Sequence, residues 1–384
     1  MMIAGGGTGG HVFPGVALAE EVVGRHPAND VVFVGTSRGL EAKVVPAAGF
    51  PIELIEVKGL KGKGLKIIAN LFLIPMAMVQ CWRLLDRWKP DVVVGVGGYA
   101  SGPVVLTAWM KGIPTAVQEQ NAVAGVTNRI LGKFVKAAFT AFPEAAHYFR
   151  GRKVFQLGNP IRRQLLENFM RPSNAHDRQR LLVFGGSQGA HALNMRVIEA
   201  LPHLADLRDR ITITHQTGAR DREQVERGYR AVGFEPDVRE FITDMSGAYA
   251  GADLVVCRAG ATTLAELTVC RKPSILVPFP AAADNHQVMN AKSLVDAGAA
   301  VMIEERDLTG ELLAHEIRAI LGNRARRDQM SRAAAQLGSP QAAKEITDVC
   351  SELVEERWGS RHGRDRGPEF KPVRPALPPP GGGA

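Results

Sequence analysis

The feature that most constrains this chain occurs twice: a short apolar run, then a glycine-rich turn, then the start of a helical stretch. Met1–Ala4 leads into Gly5-Gly6-Gly7-Thr8-Gly9-Gly10, and Leu181–Phe184 leads into Gly185-Gly186-Ser187-Gln188-Gly189. Glycine lets the backbone turn sharply and approach a ligand closely, and the helix that follows offers unbonded N–H groups and a positive dipole end. Other apolar runs, at Val31–Val34, Val92–Val94, Thr115–Val117, Ile211–Thr214, Leu254–Cys257 and Ser274–Val277, alternate with longer helical stretches. That alternation reads as βαβ units and parallel sheets. The expected fold is α/β, with two Rossmann-like domains facing each other across a cleft. At 384 residues the chain is also too long for one ordinary core. Arg171–Arg180 reads as a linker, Pro340–Trp358 as the last helix, and 359–384, rich in Pro, Gly and Arg, as a disordered tail. Met1–Ala4 is short for a buried strand.

Several function classes fall away. The four cysteines form no CxxC pair, which argues against a disulfide framework or a zinc site and fits a reducing compartment. The first glycine turn stands where the apolar core of a signal peptide would lie, so none is expected. The net charge is +8, of which the tail supplies three. A basic surface can meet nucleic acid or anionic lipid. No RNA-binding aromatic signature or helix-turn-helix pattern occurs, so lipid is favoured. Lys58, Lys61, Lys63 and Lys66 precede an apolar run, Ile67–Val79, that contains Pro75. The run is shorter than the about 20 residues of a membrane span. Lys58–Val79 could rest on an anionic membrane surface, or form a buried helix beside a solvated lysine loop.

Gly5, Gly7 and Gly10 satisfy the dinucleotide pattern GxGxxG, but that site wants an acid at the end of the second strand. The strand ends Val34-Gly35-Thr36-Ser37-Arg38, without a carboxylate. The second loop lacks the Gly-Lys-Ser/Thr of a P-loop and the GxSxG of a hydrolase. Ser187 there could donate to a phosphate oxygen. His11 starts the first helix and is a candidate base. In Cys257–Glu266 a strand ends, Gly260 turns, and a helix begins near Ala261 whose N–H groups could take a diphosphate. Glu266 inside that helix could accept ribose hydroxyls, or merely complement the helix dipole. Asp284-Asn285-His286-Gln287 suits sugar hydroxyls, a helix cap, or both.

These pieces in this order resemble the peptidoglycan glycosyltransferases of family 28, which have the GT-B fold. The matching strings are GGGTGGHVFPG at 5–15, GLKGKG at 59–64, KPDVVVGVGGYASGP at 89–103, EQNAVAGVTN at 119–128, GNPIR at 158–162, GGSQGA at 185–190, EFITDM at 240–245, VVCRAGATTLAEL at 255–267 and LVPFP at 276–280. The resemblance covers about residues 1–357. It implies an inverting transfer of N-acetylglucosamine from UDP-GlcNAc to the 4-hydroxyl of MurNAc in undecaprenyl-diphosphoryl-MurNAc-pentapeptide (lipid I), giving lipid II. It also implies a peripheral place on the cytoplasmic face of the plasma membrane, beside other cell-wall synthesis proteins. The domains expected are 1–160 for acceptor and membrane, 161–340 for UDP-GlcNAc, and 341–358 as a helix returning towards the first domain, followed by the tail.

Carried onto matching positions, the resemblance puts Thr8, Gly9 and Gly10 near the donor sugar and acceptor. Asn121 contacts the sugar, and Arg162 and Ser187 contact donor phosphate or ribose oxygens. The Ile242 backbone reads uracil. Ala261, Thr262, Thr263, Leu264 and Ala265 give helix-end N–H groups to the diphosphate, Glu266 holds the ribose, and Gln287 holds GlcNAc hydroxyls. His286 stands where the family has glutamine. The base is expected to be His11, with Glu119 as the second candidate. No Asp-x-Asp motif is present to hold a metal, and neither a metal nor another cofactor is expected; helix N–H groups and Arg162 would offset the charge of the leaving UDP. A glycolipid or sterol glycosyltransferase, a UDP-GlcNAc 2-epimerase and a non-catalytic nucleotide-sugar binder are the alternatives.

Overall fold

A computed structural model describes residues 1–57, 65–149, 151, 153–169, 177–186, 189–235 and 237–359. The basic segment 58–64, part of the expected linker, Ser187, Gln188 and the tail from 360 onward lie outside the described residues. Two α/β lobes follow one another. The first holds β1 (Met2–Gly5), β2 (Val32–Gly35), β3 (Ile52–Leu54), β4 (Val93–Gly97), β5 (Thr115–Glu119), β6 (Ala137–Thr140) and β7 (Lys153–Gln156). They form a parallel sheet in the order β3-β2-β1-β4-β5-β6-β7. The second holds β8 (Gln179–Phe184), β9 (Ile211–Gln216), β10 (Asp237–Arg239), β11 (Leu254–Cys257), β12 (Ser274–Leu276) and β13 (Ala300–Met302). Their order is β10-β9-β8-β11-β12-β13, again all parallel. In each sheet the chain steps one way from the first strand and then reverses past it, which opens a crevice at the carboxyl ends of the central strands.

The short first strand is explained by its place. β1 is paired on both edges, with β2 and with β4, and Met2, Ile3 and Ala4 are fully buried. A strand flanked on both sides needs little length to be held. The last helix, Ala342–Gly359, lays Ile346, Cys350 and Leu353 into the same apolar cluster as Ile3, Val12 and Val94 of the first lobe. Arg25 reinforces that contact through Asp348 at 2.6 Å. The chain enters the second lobe ahead of Arg171–Arg180: Ile161 and Leu165 already pack with Tyr249, Leu264 and Leu267. The crossing therefore falls near the Gly158-Asn159-Pro160 turn, where no charged run marks it. The four cysteines are buried and unpaired, and burial pushes all four thiols up, which leaves them inert.

Candidate functional site

The carboxyl ends of β1 and β4 build one wall. The first glycine loop leaves β1 and enters helix Gly9–Arg25 with Thr8 as N-cap. The Thr8 hydroxyl makes no capping bond and is exposed, as expected of a group facing a ligand. The acid missing after β2 is present further along, and it does something else. Glu41 is 1% exposed and accepts from the Gly7 N–H at 2.7 Å and from the Thr36 N–H and hydroxyl, each at 2.9 Å. A Cβ on Gly6, whose φ is +153°, would lie 2.1 Å from the Glu41 carboxyl carbon, so glycine is required there. Glu41→Ala would leave two backbone donors without their acceptor. The expected loss is about 2–6 kcal/mol, from about 1–3 kcal/mol per orphaned group, read as a lower urea midpoint at unchanged slope. An unmoved midpoint would show that water replaces the carboxylate without cost.

His11 lies in the first turn of the same helix. Its Nδ1 is 3.2 Å from Gln120 Oε1, at the end of β5. Gly97, at φ +96°, makes room for the ring, since a Cβ there would lie 2.8 Å from the imidazole. Glu119, the second candidate base, is engaged by four donors. Its Oε1 accepts from the backbone and side chain of Asn121 at 3.0 and 3.2 Å. Its Oε2 accepts from the Gly125 N–H at 2.9 Å and Asn128 Nδ2 at 3.0 Å. A carboxylate 1% exposed and engaged by four donors has no lone pair left for a substrate proton. It shapes the 119–128 loop instead. Asn121 is likewise committed: it donates to Glu119 and accepts from Asn290 Nδ2 at 3.2 Å. Asn290, fully buried, also accepts from the Ala122 N–H at 2.8 Å and so ties the two lobes together. Asp284, beside Arg129 at 3.6 Å, adds a second tie at the same edge.

The second lobe supplies the opposite wall. Helix Ala261–Val269 starts at Gly260 with no capping side chain and no acid in its first turn. Its leading N–H groups, at Ala261, Thr262 and Thr263, have no intrahelical acceptor, a geometry that favours an anion. The Leu264 side chain belongs to the buried core, so that residue and Ala265 can serve a ligand only through the backbone. Thr262 Oγ1 lies 3.4 Å from the Gly10 carbonyl of the first lobe, so the two helix starts meet. Arg162 stacks over Phe13 at 4.7 Å and stands 3.9 Å from Glu266 Oε1; its Nε is buried without a partner among the described residues. Glu266 accepts from the Tyr249 hydroxyl at 3.0 Å. Burial pushes its carboxyl above the usual range, against the lowering pull of Arg162 and Tyr249. Ile242 departs from expectation in part. Its N–H donates to Gln216 Oε1 at 3.0 Å, while Gln216 Nε2 reaches the Gly186 carbonyl at 2.7 Å. Only the Ile242 carbonyl is left to read a base. Gln287 accepts from the Phe279 N–H at 2.9 Å, which leaves its amide nitrogen to donate outward.

Gln120, Asn290, Gln216 and Tyr249 were not singled out by sequence reasoning. Gln120 lay inside the quoted EQN string; the other three gave no signal, being polar residues on ordinary strands and helices.

The N-terminal domain of glycosyltransferase family 28 matches residues 1–140, and the C-terminal domain of that family matches residues 180–346. The chain belongs to glycosyltransferase family 28. Within the family it is 79% identical, over 98% of its length and 99% of the relative's, to a UDP-N-acetylglucosamine–N-acetylmuramyl-(pentapeptide) pyrophosphoryl-undecaprenol N-acetylglucosamine transferase of Anaeromyxobacter dehalogenans. The crystal structure of Acinetobacter baumannii MurG superposes with a TM-score of 0.74 at 33% identity, covering 91% of this chain and 99% of that one. A UDP-N-acetylglucosamine 2-epimerase superposes with a TM-score of 0.66 at 16% identity, covering 96% of this chain and 98% of that one, and shows the shared fold alone. This family 28 chain is thus a two-lobed GT-B glycosyltransferase.

Proposed function

We propose that this family 28 enzyme moves N-acetylglucosamine from UDP-GlcNAc to the 4-hydroxyl of MurNAc in lipid I, with inversion, giving lipid II. The meeting of helix starts at Thr262 and Gly10 carries this reading. It sets the helix that would receive the donor diphosphate within one residue of His11. His11 takes the hydroxyl proton as the oxygen attacks the anomeric carbon. The Ala261–Thr263 N–H groups and the Arg162 guanidinium offset the charge that grows on departing UDP, fixed in place before the reaction. Thr8, Gly9 and Gly10 line the acceptor side. Glu266 holds the ribose, the Ile242 carbonyl the uracil, and Gln287 the sugar hydroxyls. Incubation with UDP-GlcNAc and a lipid I analogue in EDTA, followed by product analysis, tests the whole scheme. The disaccharide product is expected; UDP-GlcNAc converted to its C2 epimer without any acceptor would instead mark an epimerase.

The acceptor's lipid requires the first lobe to lie against a bilayer. Lys58–Lys63 fall outside the described residues, but the helix that follows, Leu65–Trp88, exposes Met76, Val79 and Trp82 at 46%, 53% and 43%. Trp109 and Met110 of the adjoining helix extend that apolar face, and Lys111 Nζ sits 4.1 Å over the Trp82 ring. Among the described residues no helix is long and apolar enough to cross a membrane. An apolar face edged with lysine suits the surface of an anionic leaflet, here the cytoplasmic one. Trp82→Asp is expected to cut cosedimentation with phosphatidylglycerol vesicles about tenfold, since one buried aromatic contributes about 1.5–3 kcal/mol. Equal binding by the variant would move the membrane face elsewhere.

A further inference from the structure

The surroundings of His11 fix more than its position. Gln120 is 1% exposed, and its amide has one neighbour on each side. Its nitrogen donates to the Val96 carbonyl at 2.9 Å, and its oxygen lies 3.2 Å from His11 Nδ1. A backbone carbonyl can only accept, so the amide NH2 must face Val96. The amide oxygen must then face the imidazole, and an oxygen can bond the ring only if Nδ1 carries the hydrogen. In the neutral ring that leaves Nε2 with its lone pair. The neighbouring Gly97 completes the device by admitting the ring where any side chain would collide with it.

We infer that Gln120 is a positioning residue that holds neutral His11 in the Nδ1-protonated tautomer, so that Nε2 is the atom presented to the acceptor hydroxyl. The inference rests on His11 acting as the base. In the step, the acceptor O–H bond breaks, its proton goes to Nε2, and the oxygen's electron pair forms the bond to the anomeric carbon as the bond to UDP breaks. The ring becomes an imidazolium whose Nδ1–H keeps the same bond to Gln120. Without the amide, the neutral ring divides between two tautomers, and the Nε2-protonated share cannot accept.

The test compares Gln120→Leu and Gln120→Glu with the parent and with His11→Gln, using full-length enzyme. Two-dimensional 15N spectra of histidine-labelled protein, with the His11 signals identified by their loss in His11→Gln, should show the Nδ1-protonated pattern in the parent. Gln120→Leu should show a mixture and a kcat reduced tenfold or more, with KM for UDP-GlcNAc within twofold. Gln120→Glu, whose protonated oxygen can donate to the Val96 carbonyl while the other accepts from Nδ1, should keep the tautomer and recover most of kcat. Gln120→Leu with parental kcat would overturn the role of Gln120 while leaving His11 as base; parent spectra showing Nε2 protonated would overturn both, since that ring cannot accept the hydroxyl proton. Full turnover by His11→Gln would overturn the base itself, and the spectra would still report what Gln120 does to the ring.

Discussion

His11→Ala is expected to lower kcat by about a thousandfold while the dissociation constant for UDP-GlcNAc stays within twofold. A positioned general base contributes about 10²–10⁴ in rate. The two readouts should part because the groups assigned to the donor lie on the other lobe, on helix Ala261–Val269, Arg162 and Gln287, and none of them bonds the imidazole. Its recorded partner is Gln120, on the same lobe. Loss of the ring should therefore remove proton transfer and little of the donor site. Single-turnover kinetics with a lipid I analogue, set beside calorimetric titration with UDP-GlcNAc, separate the two effects. A variant that turns over like the parent would strip His11 of its role, and with Glu119 fully engaged the base would have to be sought in the substrate or in water.

Glu266→Gln should weaken UDP-GlcNAc binding by about 10- to 100-fold and yet stabilise the ligand-free protein at alkaline pH. The binding loss follows from replacing a charged acceptor of ribose hydroxyls, worth about 1.5–3 kcal/mol, by a neutral amide. The gain follows from the raised carboxyl. At low pH Glu266 is protonated in both folded and unfolded chains and costs nothing. As pH rises past the value of the unfolded chain, the unfolded state releases its proton first and stability falls, until the folded carboxyl ionises too. Glutamine escapes that penalty. The difference in melting temperature between variant and parent should be near zero at pH 4 and grow towards pH 8. A variant that is less stable than the parent at pH 8 would mean that Arg162 and Tyr249 outweigh burial.

Much of the fold was legible because its central strands are apolar runs cut by glycine. Leu254–Cys257 and Ile211–Thr214 are strands nearly as read. The strands that escaped notice lie mostly at the edges, where one side faces water: β3, β7 and β10 are partly or largely exposed and carry no apolar run, and β13 is only three residues long. β6 is buried but built from small residues, Ala-Ala-Phe-Thr, which signal nothing in particular. The expected boundary at 160/161 coincides with the point where Ile161 and Leu165 enter the second-lobe core, whereas the charge and proline of Arg171–Arg180 mark a stretch beyond it. In the site, the glycine loops, the helix start after Gly260 and the carboxylate at Glu266 could be read from local spacing. The partners could not. Gln120 stands 109 residues from His11, and Asn290 stands 169 from Asn121. Buried amides of that kind are chosen by a three-dimensional neighbour, and a linear spacing does not record them.

The two lobes share one architecture, and the first glycine loop comes with an anion of its own. In the first, the Glu41 carboxylate already sits on the Gly7 N–H, an anion furnished by the chain itself. A diphosphate brought to the same donor would meet like charge across a dry gap and find the N–H taken. A seat already filled by the chain's own carboxylate disfavours phosphate on the first-lobe wall, in keeping with a donor site proposed on the second lobe. For inhibitor design, the proposed donor site puts a UDP mimic on the second lobe, and compounds aimed at the opposite wall would be built as hydrogen-bond partners of His11 and Thr8 rather than as phosphate analogues.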